Sequence, residues 1–211
     1  MKEEASAASR MEWVERYEII VTQYPFLSGF IKFAVLAVAG EVLAYRIKTR
    51  NWPGRAFGIL PKSIVWGLLG ILIVFAFNIF SKGVPQICDS LLPFTGHPPS
   101  DRILNAFYIS FFMNIFFAPV MMLLHRIMDI RIEANQGKLS SLVSASPSTV
   151  ELFKSVSWER MWGFVFKKTI PFFWIPAHTF TFLLPPSWQI LFAAVLSIAL
   201  GIILAFANTK S

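Results

Sequence analysis

A single cysteine in 211 residues, Cys88, excludes an internal disulfide and any thiolate metal cluster. Charge is scarce as well. Only 15% of the residues are Asp, Glu, Lys or Arg, against 55% hydrophobic ones, and a mean hydropathy of +0.60 lies outside the range of soluble domains. The three histidines, His97, His125 and His178, fall in no HExxH spacing, and no serine-centred nucleophile motif occurs. An enzyme is therefore not expected, nor a metal or cofactor. The first 24 residues hold no apolar core, so no cleavable signal peptide is expected either. No internal repeat is visible.

What the chain does have is long apolar runs. A hydrocarbon core of ~30 Å takes roughly 20 helical residues. Four runs reach that length, about 25–47, 59–80, 103–125 and 187–207, and a fifth, 162–184, is interrupted by Lys167, Lys168, Pro171 and Pro176. The runs are continuous rather than alternating, which excludes a barrel. The fold class expected is an all-α integral membrane protein: a bundle of four spanning helices, a Pro-broken fifth membrane-embedded segment that spans or re-enters, and amphipathic flanking helices. Residues 1–24 form a polar tail in which Met11–Thr22 carries an apolar stripe of Trp13, Val14, Tyr17, Ile20 and Val21, an interfacial helix. Residues 25–211 form one helical domain.

Nineteen Lys and Arg against twelve acids give a net charge of +7. The excess is concentrated. Arg46, Lys48, Arg50, Arg55 and Lys62 lie in a first loop without any acid, and Arg126, Arg131, Lys138, Lys154, Arg160, Lys167 and Lys168 in a third. Both basic loops, 46–62 and 126–168, are expected on the cytoplasmic side. The partner of this charge is then anionic lipid, and nucleic acid is not expected. Trp52, Trp66, Trp158, Trp162 and Trp188 stand near span ends as interfacial anchors, and the Pro-rich loop around 85–99 faces the other side. Within the third loop, 136–149 is a linker of small polar residues, and Ser148-Thr149-Val150-Glu151 has the pattern of a capping box that starts a helix.

Polar residues inside the spans are costly and should face protein or water. Ala37, Gly40, Glu41 and Ala44 recur at helical spacing, which points Glu41 at another helix rather than at lipid. Lys32, nine positions away, is on the opposite face, so the expected partner is His178 or a snorkelling Lys48. Gly67, Val74 and Asn78 share a line of the second span. Ala106, Ser110, Asn114 and Ala118 step by four along the third, and Ser197, Gly201 and Ala205 along the last. Glu41, Asn78, Asn114 and His178 are the candidates for a polar path. Gly40, Gly67, Ser197 and Gly201 are the candidates for close helix packing, the last two between copies of a homo-oligomer. Pro119 should kink the third span near Ile115, and Pro171 and Pro176 should break the fifth segment.

Pro25 followed fifteen positions later by Gly40-Glu41 resembles the start of the Mpv-seventeen and peroxisomal twenty-two-kilodalton membrane protein family. Trp174-Ile175-Pro176, then Pro185, then Gln189-Ile190-Leu191-Phe192-Ala193 is similar to that family's C-terminal signature. Glu41 stands where the family has Asp and Gln189 where it has Arg, and Ile175 separates the Trp from the Pro. The resemblance implies a small helical membrane protein that forms a pore or passes small metabolites. The two functions expected are a membrane channel or transporter for small solutes and, as the alternative, a non-transporting membrane scaffold or assembly factor.

Overall fold

The computed structural model describes residues 2–91 and 101–207, and among them there is no strand. The described residues form nine α-helices in order: α1 Lys2–Gln23, α2 Pro25–Thr49, α3 Ile59–Leu91, α4 Arg102–Phe116, α5 Ala118–Ala134, α6 Thr149–Lys154, α7 Trp158–Arg160, α8 Ile175–Leu183 and α9 Pro186–Ala207. A π-wound stretch, Met161–Trp174, joins α7 to α8. Three of these elements are long and apolar enough to cross a bilayer, and four if α4 and α5 count as one bent span.

Prolines set several boundaries. Pro25 has no amide to continue α1 and instead begins α2, where the missing donor costs nothing. Pro119 likewise removes the amide that Ile115 would have received. The chain breaks there at Phe117, and α5 leaves α4 at 45°. Pro176 opens α8 in the same manner, with its ring on the exposed outer face, and Pro171 sits half-buried inside the π-wound stretch.

Some limits differ from the sequence expectation. The N-terminal helix begins at Lys2 rather than Met11. The second apolar helix continues past Phe80 and through Pro85 to Leu91, so part of the Pro-rich loop is helical. One lost amide is offset there by burial of Val84 and Cys88 against Ile109. The remainder of that loop, 92–100, with His97, lies outside the described residues.

Helix α2 lies between α3 and α9. It meets α3 where Gly29 faces Gly70: a Cβ on Gly70 would fall 2.5 Å from the Gly29 carbonyl oxygen. It meets α9 where Gly40 faces Ile198 and Gly201, a Cβ on Gly40 falling 2.8 Å from the Ile198 Cα. The Ser197–Gly201 row therefore packs α2 of its own chain. The Gly67 contact is also internal, against the Phe30 ring.

The two basic loops lie at one end of the bundle. Gly58, closing the first, and Gly137, in the third, both have positive φ and touch, with Gly137 tight against the Arg55 carbonyl. At the other end Tyr17 of α1 donates to the Ser187 carbonyl, and Arg102 donates to the Leu183 carbonyl. Between the ends the outer surface is apolar: Leu68, Leu72, Phe75 and Ile79 on α3 are 53, 42, 56 and 50% exposed, and Phe107, Phe111 and Ile115 continue the belt on α4. An exposed apolar belt of this length marks a surface that meets lipid or another protein.

Candidate functional site

Near the basic end, α2, α3 and α5 each direct ionisable or polar side chains at one point. Glu41 lies two turns before the end of α2. Lys62 and Trp66 are one turn apart on α3, and His125 and Asp129 are one turn apart on α5. Lys62 Nζ sits 2.7 Å from Glu41 Oε2 and 2.5 Å from Asp129 Oδ1, with its side chain only 5% exposed. Trp66 Nε1 donates to Glu41 Oε1 at 2.6 Å, and His125 Nε2 lies 3.1 Å from the same oxygen and 3.7 Å from Asp129 Oδ2. The Trp66 ring is stacked with Phe33 and lies 4.2 Å from the His125 ring. The expected partner of Glu41 is thus corrected. It is Lys62, from the next helix, and not His178 or Lys48.

Counting charges, two carboxylates meet one ammonium, so the cluster carries −1 with His125 neutral and zero with it protonated. Among the described residues, Glu41, His125 and Asp129 have the donor set and spacing for a metal ion, one ligand atom from each lying within 4.8 Å of the others. Lys62 already supplies a cation between the two carboxylates, so the residues present do not call for a second one.

Glu41 and His125 also form part of the wall of a cavity of about 310 Å³. Its origin is the bend at Phe117. Helix α5 leans on α3 while α9 packs on α2, and the π-wound stretch closes the remaining side. At one end the cavity is lined by Phe33, Phe77, Met113, Asn114 and His178, and at the end nearer the basic loops by Ala44, Arg126 and Arg160, of which Arg160 is exposed. It does not extend to the next turn, because Phe80 and Phe182 pack there with Val84, Cys88 and Ile109 in a solid apolar cluster.

Asn114 and His178 belong together as expected from neither position alone: the Asn114 side chain lies 3.1 Å from His178 Nδ1 and also donates to the Ser110 carbonyl. His178 is stacked on Trp174, whose own buried indole Nε1–H finds no acceptor among the described residues. The whole row Ala106, Ser110, Asn114, Ala118 is buried. Of the four residues expected on a polar path, Glu41, Asn114 and His178 share the cavity, but Asn78 does not. It is exposed, and its amide donates to the Val74 carbonyl one turn back. The face that carries Gly67 and Val74 continues to Asn78, but the covering helix α2 ends at Pro25, just beyond the Gly29 contact.

Away from the long apolar helices, Ser148 and Glu151 form the capping box read from the sequence. The Ser148 amide and hydroxyl both donate to the Glu151 carboxylate and hold it below the usual carboxylate range. Partial burial, followed by the neighbouring Glu18 charge, pushes the Tyr17 phenol up.

The chain matches no protein-family profile, no curated protein and no solved structure.

Proposed function

We propose that this chain is an integral membrane protein with four spans and a broken fifth segment, and that it carries a small solute across the bilayer through the cavity between α2, α5 and α9. The observation that carries this reading is the convergence of Glu41, His125, Asn114 and His178 on one cavity of about 310 Å³ within otherwise apolar helices. Intramembrane ionisable groups are expensive and are retained where they serve a path or a relay. The apolar cluster beyond His178 makes the cavity one-ended, which suits a gated carrier better than an open pore. The basic loops then face the cytoplasm. The resemblance carried by Pro25, Gly40 and Glu41 points the same way.

The test is flux of small ions and metabolites in proteoliposomes containing the purified protein. Protein-dependent flux that falls with Glu41→Gln and with Met122→Trp, which fills the cavity from α5, supports a carrier. Flux equal to that of empty liposomes sinks it. A scaffold is the second reading, favoured by the pairing of every charge in the Glu41–Lys62–Asp129 cluster, which ties three helices together. In that case the same variants change thermal stability and no solute moves.

A further inference from the structure

We propose that the cavity binds a single-chain anionic amphiphile, tail inward, with its head at Arg126 and Arg160. The proposal deepens the reading of this cavity as a solute site and rests on it.

The walls decide the tail. Phe33, Ile73, Phe77, Met113, Phe117 and Met121 present apolar surface along the cavity, and polar atoms at its deep end are few: Asn114 and His178 engage each other, and the Trp174 Nε1–H is without an acceptor among the described residues. A fully polar solute would lose hydration there with few groups left to replace it. Flexible methionines suit a chain whose shape varies. Depth follows from α2, where the lining runs from Phe33 to Ala44, eleven residues or about 16 Å at 1.5 Å per residue. A space that long and only about 310 Å³ in volume is narrow, which admits one alkyl chain and not the two of a membrane phospholipid.

The mouth decides the head. The Glu41 carboxylate on the cavity wall is already engaged, by the Lys62 ammonium that it shares with Asp129. The two guanidiniums are open to a ligand. Arg160 is exposed and makes no ion pair among the described residues, and Arg126 has only Glu133 at 3.8 Å, both side chains being well exposed. Two forked donors at the rim of an apolar cavity match a carboxylate or phosphate head and repel a cationic one. Both arginines also lie in the second of the two basic loops, at the end of the bundle where anionic heads accumulate.

The test uses the full chain in nanodiscs of phosphatidylcholine, with ω-bromoundecanoate as the probe, because bromine quenches tryptophan on contact and Trp66 and Trp174 line the cavity. The expected result is a saturable quenching component, competed by undecanoate and not by undecanol, and reduced in Trp174→Phe. Arg126→Gln with Arg160→Gln should weaken the apparent affinity by about tenfold or more, since each charged hydrogen bond lost is worth that order. Both arginines are at the surface, so the thermal stability of that variant should match wild type. Equal competition by undecanol, absence of a saturable component, or an unchanged affinity in the double variant overturns the proposal. So does loss of the component when phosphatidylglycerol is added to the nanodisc, which would make an ordinary two-chain lipid the occupant. Solute flux without amphiphile binding sinks this inference and leaves the carrier reading standing. Amphiphile binding without flux supports this inference and removes only the carrier.

Discussion

Removing Lys62 should destabilise this protein far more than removing either of its acidic partners. The ammonium is 5% exposed and stands between Glu41 at 2.7 Å and Asp129 at 2.5 Å. Lys62→Met leaves two carboxylates together with no cation from α3, and uncompensated buried charge costs about 3–5 kcal/mol. For a chain of this length about 2–4 °C of melting temperature corresponds to each kcal/mol, so the shift should be about 6–20 °C. Glu41→Gln is different. It leaves Lys62 paired with Asp129, and the amide oxygen can still accept from Trp66, so well under half of that shift is expected. Asp129→Asn leaves Lys62 paired with Glu41 for the same reason. The triple variant Lys62→Met, Glu41→Gln, Asp129→Asn removes all three charges, and its stability should return to within about 1–2 kcal/mol of wild type, because a neutral core can replace a buried ion cluster at little cost. Short distance alone is not the cause of the effect. Arg16 and Glu12 are also 2.6 Å apart, but with side chains 67 and 62% exposed, and Arg16→Gln should move stability by no more than about 1 kcal/mol. The assay is thermal unfolding in detergent followed by a thiol-reactive fluorogenic dye, since Cys88 is the sole cysteine and is buried in the apolar cluster with Val84 and Ile109. A Lys62→Met shift below about 2 °C, or a triple variant no more stable than Lys62→Met, would refute the charge argument.

Three further outcomes are expected. Gly40→Ala should cost about 1–3 kcal/mol, because the new Cβ meets backbone atoms of Ile198 that move only if α2 and α9 separate, whereas Gly67→Ala should cost less, its Cβ meeting the swinging end of Phe30; the same thermal assay ranks them. The Glu151 carboxyl is held below its ordinary value of 4.5, so its stabilisation of α6 is complete above that value and is lost as the pH falls through the depressed one; normalised hydrogen exchange at Leu152–Ser155 should show protection falling in acid for wild type and no such step for Glu151→Ala. For orientation, native Cys88 is only 8% exposed and should resist an impermeant maleimide from either side, so in a Cys88→Ala background Ser90→Cys should label in intact cells and Ser140→Cys only after lysis, the reverse pattern overturning the assigned topology.

The helices were legible because span length and apolar run length are the same quantity, and the inward orientation of Glu41 was legible because Ala37, Gly40 and Ala44 mark one face of one helix. Its partner was not. Periodicity reports which residues share a face within a helix and says nothing of which face of another helix it meets. By sequence Lys62 therefore belongs to a basic loop, Trp66 to the interfacial anchors and His125 to the end of an apolar run. The register that joins them is fixed by the Gly29–Gly70 contact between α2 and α3 and by the bend at Phe117 that aims α5, and both are tertiary facts. A local signal did exist: Lys62 with Trp66, and His125 with Asp129, are i, i+4 pairs of polar groups at the same end as Glu41, and such pairs on two apolar helices are costly unless they meet. Asn78 shows the opposite error. It shares the face of Gly67 and Val74, but a face is buried only as far as the neighbouring helix extends, and α2 stops at Pro25. A polar residue in an apolar run therefore marks an interior path only where a neighbouring element of sufficient length covers it, and Asn114 and His178, which two independent segments bring together, meet that condition where Asn78 does not.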